Sequence, residues 1–264
     1  MEYKLKNYGF SEEETKIEEE DYLSGILPRE VVNPSANWEE WLPVFEHQAE
    51  KYETWGCTAY GTLNQIETYM KKVFGFEPNY SDRFTYILAN ISPPGAPPSR
   101  AYEAIRKKGV IDQALLPYAD TYEEFIEPNP MLSGYIKNAL EWHSKYKFNH
   151  EWIKDPTPDK IQEELKFSPI DVSVTAWIEQ NGLFVDKGQR NTHWCEAFYV
   201  NGSKPVVFDT YNKSIKTLHP DHHIKYAKRI RIVKRAKPLP PLPAKSLWKS
   251  IWADWRLLNW RIKL

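Results

Sequence analysis

Between positions 57 and 73, apolar side chains recur at three- and four-residue steps: Tyr60, Leu63, Ile66, Met70 and Val73, with Gly75 just beyond. That spacing lines one face of an α-helix, and the glycine supplies its stop. A shorter amphipathic helix is predicted over AYEAIRKKG (101–109), after a Pro-rich loop at 92–99, and further helix around 131–147 and 158–166. Near residue 170 the period falls to two: DVSVTAW (171–177) alternates apolar and polar with β-branched residues, as a half-buried strand does. HWCEAFYV (193–200) and PVVFDTY (205–211) read as two more strands, and Asn201-Gly202 between them is a strong hairpin signal. The pattern predicts an α+β fold, a helical half followed by an antiparallel β half.

The ends read differently from this body. Residues 1–36 form an acidic, extended N-terminal arm, and the body spans 37–236, opening on Trp38, Trp41 and Leu42-Pro43. A Pro-rich linker, KPLPPLPAK, then introduces a last helix, so 237–264 stands as a separate appendage. In that helix Trp248, Ile251, Trp252, Trp255, Leu258 and Ile262 make one stripe, beside Lys249, Arg256, Arg261 and Lys263.

Charge sharpens the contrast. The net charge is −1, which gives no general pull toward nucleic acid or membrane. Locally, residues 12–21 are an acidic block, and from Lys225 onward Asp254 is the only acidic residue. The two ends are thus expected either to dock on each other or a partner, or to be solvated faces. Cys57 and Cys195 are the only cysteines, too few for a disulfide scaffold. The first residues lack the apolar stretch of a signal peptide and no run reaches membrane-span length, so a reducing, cytoplasmic setting is expected.

Cys57 heads the clearest helix, where unpaired backbone N–H groups and the helix dipole favour a thiolate. By position alone, a cysteine there is more often a small core residue. His193 opens a strand just after a hydrophilic loop, where it can reach a cleft and activate a thiol, or be an edge-strand histidine without a catalytic role. Cys195 lies on the same strand face, as a second thiol or as core. The HPDHH run (219–223) offers His219, His222 and His223 but no completing carboxylate or cysteine at metal-site spacing, so no metal and no cofactor is expected.

Taken together, these segments resemble the papain-like cysteine peptidases. WGCTAYG is similar to the family's nucleophile segment, AYEAIRKKGVIDQALLPYAD to its helix-Gly-Tyr-Pro-Tyr stretch, and FSPIDVSVTA to its Gly-Pro-Val-Ser-Val-Ala strand. HWCEAFYV and PVVFDTY match its His-Ala-Val and following strand, in the family's order over roughly 45–233. The resemblance implies Cys57 as nucleophile, His193 as general base and Asp209 at the position of the imidazole-orienting Asn. Counting back from a tight turn puts Asn212 opposite His193 instead, unless a bulge shifts the register. It also implies Gln48 as the side-chain donor of an oxyanion hole. Thr58 replaces the family's Trp, the paired substrate-binding glycines reduce to Gly95, and no inhibitory pro-segment is recognisable before residue 45.

The expected function is hydrolysis of peptide or isopeptide bonds through an acyl-enzyme, on a protein or peptide substrate. The alternative is a structural or interaction protein, such as a viral particle component, that keeps the fold and docks through its terminal arms. For the Trp-rich helix a protein partner is favoured over a membrane surface; no nucleic-acid-binding motif is present.

Overall fold

The structure, a computed structural model, describes residues 7–17, 27–127 and 132–237. The predicted Trp-rich helix and part of the acidic block lie outside them.

The first helix, α1 (Cys57–Phe74), begins after Gly56 and ends at Gly75, whose φ of +71° is the left-handed stop foreseen from sequence. Every side chain from Cys57 to Met70 is buried, not one face only. The helix runs between the helical half and the sheet, so its polar face is covered as well. That face finds protein partners in place of water. Gln65 Nε2 donates to the Pro169 and Lys228 carbonyls at 2.8 Å each, and its Oε1 accepts from Tyr102 at 2.6 Å. Thr68 donates to Glu196 at 3.1 Å.

The helical half adds α2 (Asp82–Leu88), α3 (Pro98–Lys108), α4 (Tyr122–Ile126) and α5 (Leu132–Lys145). At seven and five residues, α2 and α4 are too short to show a helical period in the sequence. They are set instead by caps: the Ser81 and Thr121 hydroxyls accept from Phe84 N–H at 3.0 Å and Glu124 N–H at 3.2 Å. The helix expected over 131–147 stops at Lys145 and passes directly into β1 (Tyr146–Trp152). A single helix, α6 (Pro158–Glu164), follows before the remaining strands.

These strands are β2 (Ile170–Val174), β3 (Ile178–Gln180), β4 (Leu183–Val185), β5 (His193–Asn201), β6 (Lys204–Phe208), β7 (Ile215–Thr217) and β8 (Ala227–Lys234). The main sheet has the order β1-β8-β2-β5-β6-β7 with every neighbouring pair antiparallel, and β3-β4 is a separate small hairpin. This is the α+β architecture expected from the change of period. Helix α1 crosses β5 at Gly61, where an added Cβ would lie 3.0 Å from the Trp194 ring. That contact fixes the head of α1 beside the start of β5. Among the described residues, no helix is long and apolar enough to cross a membrane.

A candidate active site at the head of the central helix

The register of the β5-β6 hairpin decides which side chain faces His193. A two-residue turn pairs Asn201 with Lys204, but between Tyr199↔Val206 and Ala197↔Val207 the register slips by one. Phe198 is the extra residue of a bulge, and beyond it Glu196 faces Phe208. Continued past Phe208, this register sets Tyr211 opposite His193 and Asp209 opposite Cys195, so Asp209 reaches the imidazole from two positions away. Their contact is direct, His193 Nε2 lying 2.5 Å from Asp209 Oδ1, with both side chains fully buried. Asn212 does not take this place; its backbone carbonyl accepts from Lys216 at 3.1 Å.

Asp209 is held from several directions. Its Oδ1 also accepts from Thr210 N–H at 2.8 Å, and its Oδ2 accepts from the buried Lys216 ammonium at 2.6 Å. Burial alone would raise the carboxyl, but His193 and Lys216 outweigh it and hold it below the usual carboxylate range. The imidazole is packed by Tyr8, Trp177 and Tyr211, with ring centroids 5.5, 5.6 and 5.6 Å away. Its other nitrogen, Nδ1, is buried and has no hydrogen-bond partner among the described residues.

Cys57 is the first residue of α1, and no side chain caps the helix head. The free N–H groups there are available to a sulfur or to a substrate oxygen. Burial pushes the thiol well above its usual range; the Trp194 backbone opposes this, and Asp209 and Glu53 add to it. Cys195 is likewise fully buried and sits in the core behind β5. The HPDHH run is used structurally: His222 Nε2 accepts from Thr175 N–H at 3.1 Å while Nδ1 faces the Phe184 carbonyl at 3.2 Å.

Gln48 lies in the same corner, fully buried. Its amide oxygen accepts from Thr210 Oγ1 at 2.8 Å. Its amide nitrogen reaches the Tyr8 carbonyl at 3.0 Å, Tyr211 Oη at 2.8 Å and Glu53 Oε1 at 3.2 Å. The donor predicted to face a substrate oxygen thus holds a carbonyl of the chain's own N-terminal segment.

That segment packs between β5 and the loops at Trp55 and Ala96. Tyr8 N–H donates to the Thr192 carbonyl at 3.1 Å, immediately before His193. Phe10 pairs with Ala96 in a parallel bridge, is 2 % exposed, and stacks on Trp194 with centroids 5.8 Å apart. Gly9 lies close against Trp55 with φ +112°, where an added Cβ would come 2.1 Å from the Trp55 carbonyl oxygen. Next, Glu12 pairs with Lys225 at 2.5 Å, Glu13 with Arg190 at 2.9 Å and Glu14 with Arg100 at 2.7 Å. The first residues of the acidic block thus pair with the chain's own body: Lys225 opens the basic stretch, whereas Arg190 and Arg100 lie outside it.

The structure gathers Cys57, His193, Asp209 and Gln48, which the sequence reading singled out, in one corner together with Tyr8, Glu53, Tyr211, Trp177 and Lys216, which it did not. Tyr211 stands two positions after Asp209, and that spacing was the one available signal.

No family model and no curated protein matches this chain. Among solved structures it is similar to digestive procathepsin L 3 from the larval midgut of Tenebrio molitor, with a TM-score of 0.58 and 13% identity, covering 85% of this chain and 76% of that one. It is also similar to an inhibitor-bound bromelain protease from Ananas comosus, with a TM-score of 0.57 and 17% identity, covering 74% of this chain and 96% of that one. The fold is that of the papain-like cysteine proteases.

Proposed function

We propose that this chain is a cysteine peptidase in a closed state, with Cys57, His193 and Asp209 as its triad and residues 8–15 lying in its substrate cleft. The observation that carries the reading is the buried 2.5 Å contact between His193 and Asp209 beside the head of a helix that begins with Cys57.

Chemically, the parts suffice. With Nε2 committed to Asp209, Nδ1 is the nitrogen left to take the Cys57 proton. The thiolate attacks an amide carbonyl, and the bond electrons move to its oxygen. Gln48 Nε2 and a backbone N–H at the helix head stabilise that oxyanion. His193 then protonates the departing amine and, in the second half, takes a proton from the water that releases the acyl group. In the closed state the Tyr8 carbonyl occupies the Gln48 donor, and Cys57 and His193 are both 0 % exposed. Substrate can enter only after residues 8–15 move aside.

A thiol-directed peptidyl epoxide followed by intact mass measurement tests the reading. One adduct is expected on the parent, formed slowly, and faster on Phe10→Ala, which loosens the segment. Cys57→Ala and His193→Ala should form none. Absence of an adduct on both the parent and Phe10→Ala, or labelling indifferent to His193, overturns the reading in favour of a protein that keeps the fold for binding.

A further inference from the structure

We propose that Lys216 is a positioning residue of this site: its ammonium neutralises Asp209 and aims the second carboxylate oxygen at His193. The inference rests on the triad reading above. Lys216 is 3 % exposed, an unusual place for a lysine, and its Nζ uses three donors on three acceptors. These are Asp209 Oδ2 at 2.6 Å, the Asn212 carbonyl at 3.1 Å and the Lys213 carbonyl at 2.6 Å. The Trp177 ring lies 4.9 Å and the Phe184 ring 5.8 Å from the same nitrogen, closing it off from solvent.

The electrostatic consequence follows from counting charge. A bare buried carboxylate bound to His193 would stabilise an imidazolium strongly and make it a reluctant proton donor. With Lys216 bound to the other oxygen, the unit facing His193 carries no net charge. Orientation is kept, because Oδ1 still accepts from His193, while the excess basicity is removed. The other groups around this unit are Cys57 at the helix head, Cys195 on β5, Glu53 and Tyr211 across the cleft, and Tyr8 over the ring. Among these described neighbours, Lys216 is the cation in hydrogen-bond contact with the carboxylate.

The test is a four-corner charge cycle read by NMR titration of the imidazole in the full chain. The variants are Lys216→Met, Asp209→Asn and the double change, with His193→Gln to assign the resonance. In Lys216→Met the His193–Asp209 pair should take up its proton about one pH unit or more higher than in the parent. Asp209→Asn alone, which leaves the lysine unbalanced, should move the midpoint down. The double variant restores net neutrality and should titrate close to the parent. If Lys216→Met folds too poorly to read, the other two corners carry the same comparison. Midpoints of folded variants that ignore this charge pattern overturn the proposal and leave Lys216 a tie for the β6-β7 turn. Midpoints that follow it while Cys57 resists the epoxide on both the parent and Phe10→Ala would sink the peptidase reading instead, and the pairing would stand.

Discussion

A carboxyl group sealed from water holds on to its proton, and Asp171 is such a group. It is fully buried, its Oδ2 lying 2.6 Å from Tyr102 Oη and accepting from Trp194 Nε1 at 2.9 Å. Burial pushes it up to about 8, against the pull of Tyr102, Trp194 and Lys228. In the unfolded chain an aspartate titrates at about 4. The folded form therefore binds the extra proton between those values, and stability falls as pH rises through that window, by up to about 1.4 kcal/mol per unit. Asp171→Asn should flatten this slope, so that urea unfolding at pH 6 and pH 9 differs less in the variant than in the parent. Residue-level legibility had a clear limit. Cys57 and His193 could be found because their chemistry is rare in this chain. Lys216 could not, because Ile215-Lys216-Thr217 reverses the usual rule: Ile215 is 49 % exposed and the lysine is inside. Only the carboxylate waiting beneath it makes that inversion stable.

Elements with a long period or a strong turn were legible: α1 and the hairpin at Asn201-Gly202; β2 was placed as a strand, but it ends at Val174 and is buried on both faces instead of one. Those fixed by tertiary partners were not. β1 carries Lys147, Asn149 and Glu151 among its apolar residues and is held as a strand by β8, a segment about 80 positions away. The N-terminal segment belongs to the same class. Its sequence is polar and turn-rich, and its shape is imposed by the cleft. Gly9 is the element's weak point: with φ +112° and the Trp55 carbonyl against it, an alanine cannot be seated there. Gly9→Ala should therefore unseat the segment. Burial of one phenylalanine side chain contributes about 1.5–3 kcal/mol, so releasing Phe10 should lower unfolding stability by roughly 2 kcal/mol. Epoxide labelling of Cys57 should nevertheless accelerate tenfold or more. Loss of stability together with a gain of reactivity separates unseating from general damage, which would lower both.

Across the whole molecule, charge does what the near-zero total conceals. Glu12, Glu13 and Glu14 reach cations on three separate parts of the body: the loop before β8, the loop before β5, and α3. Glu13 and Arg190 are largely exposed, 83 % and 58 %, so that pair is screened readily by salt. Raising ionic strength from low to about 1 M should speed labelling of Cys57 several-fold in the parent, and much less in the triple variant Glu12→Gln, Glu13→Gln, Glu14→Gln. A labelling rate indifferent to salt would place the hold on Phe10 and the backbone alone.

The order of these parts along the chain has a consequence for how the protein is born. The segment from Tyr8 to Glu14 is made before Thr192, His193, Trp194 and Lys225, which complete the walls around it. When a ribosome releases the β half, its occupant is already waiting on the same molecule. The thiol is thus covered from the moment the site is assembled.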